Sequence, residues 1–372
     1  MLSLVFSDYA SRPQTIKQEE AGMKRLIVCC DGTWQSARQE NLTNIAKIAM
    51  HAAHEDDDGI RQIVYYDSGV GATFEADDDN LLNEVSDWLD KKLGGAIGDG
   101  LEEKIFDAYR FLAFNYVPGD EVFIFGFSRG AYTARSLCGL IYASGLVQRQ
   151  KIGALGEAYR LYRDKAVWPG HPDAVAFRQA HGESIPITYL GCFDTVGMNG
   201  VPDVISWLPI DRLFNRGHGF HDTFLNRDIK AARHACALDE RRKAFPVTVM
   251  QASKACPPDQ VQERWFPGFH GGIGGGSPSE QPFSDIALDW IAEGAEAAGM
   301  KFSASLRTGL KADPLADMSE PAGLWGLGEA TRKVETGYEA MTPHASAVAR
   351  YQARPDWRPD LVLKMEARLQ EA

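Results

Sequence analysis

Short apolar runs alternate with longer stretches of helical spacing along most of the chain. Leu26–Cys30 is a strand-like run that ends on the turn Asp31-Gly32-Thr33. Asn41–His54 repeats its apolar positions at helical spacing, with Asn41 or Thr43 placed to cap the helix. Gln62–Tyr66 reads as a second strand, Leu81–Leu93 and Leu101–Tyr116 as helices, and Pro118-Gly119-Asp120 as the turn into a strand at Glu121–Phe125. Ala131–Leu137 opens the next helix, and Ala154–Lys165 and His171–His181 predict two more. Ile185–Phe193 predicts a strand that ends on Asp194. Arg227–Ala237 reads as a helix, Phe245–Met250 and Gln262–Phe269 as strands, and Ser284–Ala298 as a helix. The remainder is weakly periodic and ends in a polar helix. Strands alternating with helices imply an α/β fold: a mostly parallel central sheet, helices on both faces, and helical insertions. With no linker or repeat in view, residues 23–372 are expected to form a single domain with insertions around 151–182 and 197–226.

Residues 1–22 look unlike the rest, and Met23 stands just before the first strand. Gln18-Glu19-Glu20 can be encoded by a purine-rich run resembling a ribosome-binding site, so native translation is expected to begin at Met23. The intact mass of the native protein checks this.

Composition narrows the function classes. A formal charge of −12 speaks against a nucleic-acid partner, because phosphate binding wants a basic surface. No apolar run is long enough to span a bilayer, and Met1–Asp8 lacks the basic start and cleavage site of a signal peptide. The expected location is therefore cytoplasmic, or exported without a cleaved signal. None of the six cysteines forms a C-x-x-C pair, so they read as reduced, small hydrophobes. The acidic runs Glu55–Asp58 and Asp77–Asp79 lack EF-hand spacing and read as solvated loops. Gly271–Gly276 has neither G-x-G-x-x-G nor P-loop spacing.

Gly126-Phe127-Ser128-Arg129-Gly130 is the most informative stretch. It matches G-x-S-x-G between a buried strand and a helix, the context of a nucleophile elbow. A serine hydroxyl needs a histidine to take its proton and an acid to orient that histidine. Ser128, Asp194 and His270 follow one another in the order Ser, Asp, His, each just after a predicted strand. Asp239 and Asp285 compete for the acid, and His181, His218, His221, His234 and His344 for the base. The oxyanion hole needs two backbone N–H groups. Arg129, after the serine, is expected to supply one, and Gly32 or Thr33 after the first strand the other. This chemistry requires no cofactor and no metal. An ester hydrolase working through an acyl-enzyme is the leading reading; a non-catalytic scaffold that binds lipid or protein, or an amidase or peptidase, are the alternatives.

Gly126-Phe-Ser-Arg-Gly-Ala-Tyr-Thr-Ala-Arg135 resembles the signature of a bacterial and fungal α/β-hydrolase family. That family includes the catalytic domain of type VI secretion phospholipase effectors. Cys30-Asp-Gly-Thr-Trp34, Phe193-Asp-Thr-Val196, Trp265–His270, Ser284–Trp290 and His344–Arg350 resemble other family segments, so the likeness runs from about Lys24 to about Leu363. The resemblance implies a Ser128–Asp194–His270 triad, ester bonds as targets, phospholipids as substrates, and a partner of the secretion-apparatus or immunity kind. It also suggests that Arg129 and Arg135 contact an anionic head group or form structural ion pairs. Two features depart from the family. The position two after the histidine, often Asp, is Gly272, and no amphipathic membrane anchor is expected in the stretch after the catalytic segment.

Overall fold

Six segments pair side by side into one sheet: β1 Arg25–Cys30, β2 Gln62–Asp67, β3 Glu121–Phe127, β4 Tyr189–Phe193, β5 Ala232–Ala237 and β6 Val261–Phe266. Their order is β6-β5-β4-β3-β1-β2, and every pairing is parallel. The computed structural model describes residues 22–32, 41–69, 96–197, 224–243, 245–253, 256–257, 259–319 and 329–371. The labelled helices are α1 Asn44–His51, α2 Ala96–Asn115, α3 Arg129–Ser144, α4 Leu155–Arg163, α5 Pro172–His181, α6 His270–Gly274, α7 Gln281–Ala297 and α8 Ala345–Ala353.

The period-two pattern of the strands sorts the core into two layers. Leu26, Val28, Val122 and Ile124 face α2 and α3, where they meet Tyr109, Leu112, Ala134 and Leu137. Ile27, Cys29, Phe123 and Phe125 face the other way, onto Ile45 and Ile48 of α1 and Leu288 and Ile291 of α7. A strand covered on both faces needs apolar residues at nearly every position, and this is why β1, β3 and β4 read as near-continuous runs. A third cluster joins Cys236, Val249 and Trp265 to Met341, Tyr351, Trp357 and Leu361 of the C-terminal part. There Trp265 N–H donates to the Thr342 carbonyl (3.0 Å), and His344 N–H donates to the Trp265 carbonyl (2.9 Å). These bonds satisfy Trp265 on the outer edge of β6, which would otherwise offer unpaired backbone groups.

The chain runs from β1 out to β2, then returns to place β3 on the other side of β1. Winding reverses between β1 and β3, and such a reversal opens a crevice at the carboxyl ends of the two strands. Ser128 follows β3 at that end, and Asp31 follows β1.

Several local expectations change. The expected helix at Arg227–Ala237 is a turn followed by β5. Alanine-rich Ala232–Ala237 has high helix propensity, but it lies between β4 and β6, and tertiary pairing overrides propensity. The expected strand at Phe245–Met250 does not join the sheet. Val247 makes an isolated bridge to Val196, and only Gln251–Ala252 pairs, with Phe224–Leu225. The strand expected from Ile185 begins at Tyr189. The glycine-rich stretch after β6 is the short helix α6 rather than an open loop. Helices α4 and α5 lie inside the expected 151–182 insertion. The 1–22 extension, apart from Gly22, the helix at Leu81–Leu93, the run at Asp77–Asp79 and most of the 197–226 insertion lie outside the described residues. Among the described residues no helix is long and apolar enough to cross a membrane.

Of the two cap candidates, Thr43 caps α1. Its Oγ1 accepts the Ala46 N–H (3.1 Å) and donates to Asp31 Oδ2 (2.6 Å), tying the helix start to the turn after β1. Thr43→Val removes both bonds at constant shape. It should cost about 1–2 kcal/mol, read as a lower urea midpoint; an unchanged midpoint would count against this account.

Candidate functional site

The turn after β3 is shaped by what crowds it. A Cβ at Gly126 would lie 2.5 Å from Ala131 Cα, because α3 folds straight back over the strand end. A Cβ at Gly130 would lie 2.2 Å from the Cys30 carbonyl oxygen and 2.4 Å from that of Asp31. The two glycines of G-x-S-x-G are therefore required by backbone approach on either side of the serine. Ser128 itself has φ 57° and ψ −122°, a backbone conformation that L-residues reach only under constraint. Its N–H donates to the Phe193 carbonyl (3.0 Å), and its carbonyl accepts from Val196 N–H (3.3 Å), so β4 and the turn beyond hold it. Asp194 is the other non-glycine residue with positive φ (38°) among the described residues.

These two strained positions lie at the ends of one hydrogen-bonded row. His270 Nε2 is 2.8 Å from Ser128 Oγ, and His270 Nδ1 is 2.6 Å from Asp194 Oδ2. All three side chains are buried. The imidazole lies between Phe127 and Phe245, with ring centroids 4.8 and 4.7 Å away. Burial lowers the affinity of His270 for a proton, against the hydrogen bond and charge of Asp194, and the net result is below the ordinary histidine value. For Asp194, burial alone would favour the acid form. The Arg332 guanidinium, followed by His270, outweighs it and holds the carboxyl well below the usual range.

Arg332 carries no motif and lies 138 residues from Asp194 in the chain. Its Nη1 and Nη2 donate to Asp194 Oδ1 and Oδ2, both at 2.7 Å, and its Nε donates to the Phe245 carbonyl (3.0 Å). Glu240, also absent from the sequence-level site, accepts the His270 backbone N–H (3.1 Å) and pairs with Arg242 (2.6 Å). Arg242 in turn lies over the Phe245 ring, 4.3 Å from its centroid. Arg332 lies in the weakly periodic remainder of the sequence, and nothing in its pattern announces a buried cation.

The glycines after His270 make room for this packing. A Cβ at Gly274 would meet Phe127 Cε2 at 2.0 Å, and one at Gly271 would meet Glu280 Oε2 at 2.4 Å. At Gly272 a Cβ would lie 3.5 Å from Glu280 Oε1. The carboxyl group beside this turn thus comes from Glu280, which burial pushes up to about 7.

The competing residues are engaged elsewhere. Asp239 accepts from Gly268 N–H and Trp357 Nε1, both at 2.7 Å, and Asp285 pairs with Lys47 (2.6 Å). His344 caps α8, and His181 packs on Phe177. His218 and His221 lie outside the described residues. His234 Nε2 accepts the Thr195 N–H (3.1 Å), which leaves the proton on Nδ1, facing Glu263 Oε2 at 2.8 Å. His234, Cys236 and Glu263 offer ligand atoms within 4.8 Å of one another. The histidine and carboxylate there are already partnered within the protein, and they brace the residue next to Asp194.

Arg129 is the first residue of α3, so its N–H has no acceptor within the helix. Burial alone acts on its guanidinium, pulling it down to about 10. Arg135 instead donates to the Thr248 (2.6 Å) and Val249 (3.1 Å) carbonyls, which marks it as structural. Gly32 N–H points at Asp31 Oδ1 (2.7 Å), and Thr33 lies outside the described residues. The described cysteines are free thiols, all buried except the half-buried Cys256.

The sheet with helices on both faces defines the α/β class, with a serine–histidine–aspartate row at the carboxyl ends of its strands. The chain belongs to the family described as the T6SS phospholipase effector Tle1-like catalytic domain, which it matches over residues 24–294. It is 30% identical over 226 residues to the uncharacterized protein YEL023C of Saccharomyces cerevisiae, covering 60% of this chain and 32% of that protein. Among solved structures it is similar to an uncharacterized protein from Pseudomonas aeruginosa, at 19% identity and a TM-score of 0.43, covering 79% of this chain and 50% of that one. It is also similar to the Tle1 effector bound to the VgrG spike from the Type 6 secretion system, at 19% identity and a TM-score of 0.38, covering 74% of this chain and 57% of that one. The chain thus spans about a third of the yeast relative and about half of the two solved chains.

The contact between Gly130 and the carbonyls after β1 is directly testable. Gly130→Ala places its methyl inside the Cys30 and Asp31 backbone and should destabilise the fold by roughly 1–3 kcal/mol or more. Equilibrium urea unfolding reads the loss, and wild-type stability in this variant would contradict the close approach.

Proposed function

We propose that this chain is the catalytic part of a serine ester hydrolase whose substrates are lipid esters, phospholipids foremost. The reading is carried by the row Ser128 Oγ, His270 Nε2, His270 Nδ1, Asp194 Oδ2, with spacings of 2.8 and 2.6 Å. Family membership supports the lipid class. In this mechanism His270 Nε2 takes the Ser128 proton as Oγ attacks the acyl carbon. Asp194 orients the imidazole and stabilises it as imidazolium. The negative charge that develops on the carbonyl oxygen is met by the Arg129 N–H and by a second donor in the turn after β1; since the Gly32 N–H is held by Asp31 Oδ1, that donor falls to Thr33. Collapse of the tetrahedral adduct breaks the ester C–O bond, and His270 gives its proton to the departing alkoxide. Water then adds to the acyl-Ser128 ester, losing its proton to His270, and the second collapse returns that proton to Ser128 as the carboxylic acid leaves.

The positive φ of Ser128 suits this role, since it turns the hydroxyl out of the strand end toward His270. The Arg129 guanidinium, which has no ion-pair partner among the described residues, suits a phosphate-bearing substrate. For partners, membership in a type VI secretion effector family supports a component of the secretion apparatus, or an immunity protein, as the proposed binding class.

Ser128→Ala should lower hydrolysis of p-nitrophenyl butyrate by at least roughly 10³-fold and leave the circular dichroism spectrum unchanged. A fluorophosphonate probe should label wild type at Ser128 and not label this variant. Full turnover in the variant would end the serine mechanism. A folded wild type that never labels would favour a binding scaffold instead. His270 works as a neutral base, and its proton affinity is lowered, so kcat/KM should hold as pH falls and decline only through an inflection below about 6.5; an inflection above that value would be inconsistent with the buried site. Arg129→Gln should raise KM for anionic phospholipid vesicles several-fold and leave KM for p-nitrophenyl butyrate nearly constant. Equal effects on both substrates would remove the guanidinium from head-group binding.

A further inference from the structure

Arg332 takes no part in the bond-making steps above, yet it makes two of the hydrogen bonds to Asp194 where His270 makes one. Asp194 accepts from Arg332 Nη1 (2.7 Å) and Ala237 N–H (3.0 Å) on Oδ1, and from Arg332 Nη2 (2.7 Å) and His270 Nδ1 (2.6 Å) on Oδ2. A carboxylate has about four lone-pair sites, so every one of them is used. Arg332 and Asp194 are both almost fully buried, where the two charges act on each other with little screening. Arg332 also ties down the Phe245 carbonyl, and the Phe245 ring packs at a tilt against His270. The arginine thus grips the acid directly and one wall of the base's pocket through its backbone. It lies beyond residues 24–294 that match the family.

We propose that Arg332 is a positioning residue of the site: it locks the Asp194 carboxylate toward His270 and offsets its charge, so that the imidazole meets Ser128 as a neutral base. The inference rests on the reading of the Ser128–His270–Asp194 row given above. An aspartate facing Nδ1 alone would favour the imidazolium. A guanidinium that forks across both oxygens of the same carboxylate opposes that effect, and it does so at the cost of no hydrogen bond to His270. The other groups that face His270 are Ser128 from the turn after β3 and Glu240 from the turn after β5. Arg242 pairs with Glu240, and Glu280 lies behind it across Gly271. Phe127 and Phe245 supply the apolar walls.

Two variants of the full-length chain separate positioning from bulk stability. Arg332→Gln removes the charge and the fork. If it folds, kcat for p-nitrophenyl butyrate should fall roughly 10- to 100-fold with KM little changed. The acid limb of kcat/KM should move up by about one pH unit or more. Arg332→Lys keeps the charge and loses the two-pronged geometry. Its acid limb should stay at the wild-type pH while kcat falls. NMR titration of the His270 Cε1–H, assigned with His270→Gln, reads the same shift without turnover. A folded Arg332→Gln with wild-type limb and wild-type His270 titration overturns the proposal. If Arg332→Gln does not fold, wild-type kcat in Arg332→Lys overturns it, and reduced kcat with an unmoved limb supports it. Failure of the serine mechanism has a different signature, unimpaired turnover in Ser128→Ala, and leaves the His270 titration free to report on Arg332.

Discussion

A charged carboxylate cannot be buried without compensation, and at the centre of this molecule Asp194 is buried completely. Its neutralisation draws together parts of the chain that share no local structure. The Ala237 amide comes from the end of β5, His270 from the start of α6, and Arg332 from the segment leading into the C-terminal cluster. Each donor is fixed in turn. Ala237 lies in a parallel ladder, His270 is clasped between two phenylalanine rings, and Arg332 is pinned to the Phe245 carbonyl. Removing any one would leave the charge short of a partner in a medium that punishes such a shortfall by several kcal/mol. The carboxylate therefore acts as a hub on which the ends of β4 and β5 and the C-terminal part converge.

Around that hub, space is allocated by absence of side chains. Gly126 and Gly130 let α3 and the turn after β1 close on Ser128 from two directions, and Gly274 cedes its volume to the Phe127 ring that packs on His270. The reversal of winding between β1 and β3 makes the close approach useful, because it brings the carboxyl ends of those strands to the mouth of a crevice.

Much of this was legible in the chain. A continuous apolar run that stops at a glycine-flanked serine has few structural solutions, and Glu121–Gly130 adopted the strand, turn and helix that its pattern predicts. Asp194 and His270 stood out because each follows a predicted strand, and the structure brings both to the serine. The failures have physical causes. Ala232–Ala237 was misread as helix because small residues suit both states, and only the neighbouring strands decide between them. Phe245–Met250 is apolar enough for a strand, but its role is to wrap the site, where Arg135 caps its carbonyls. Arg332 and Glu240 were invisible because a buried ion pair has no sequence period. Their partners lie far off in the chain, and a charged residue in a weakly patterned stretch reads as surface until its partner is known.

Ser128 and Asp194 both hold backbone angles that their side chains resist, whereas His270 between them begins an ordinary helical turn. The row is thus tensioned at its two ends and relaxed in its middle. The rest of the fold must outweigh that tension, which makes the site a net debtor to the sheet beneath it. Selection for thermal robustness alone would favour glycine at both strained positions, since glycine accepts such angles freely. That serine and aspartate stand there instead is the mark of a trade, stability surrendered for the placement of two polar side chains.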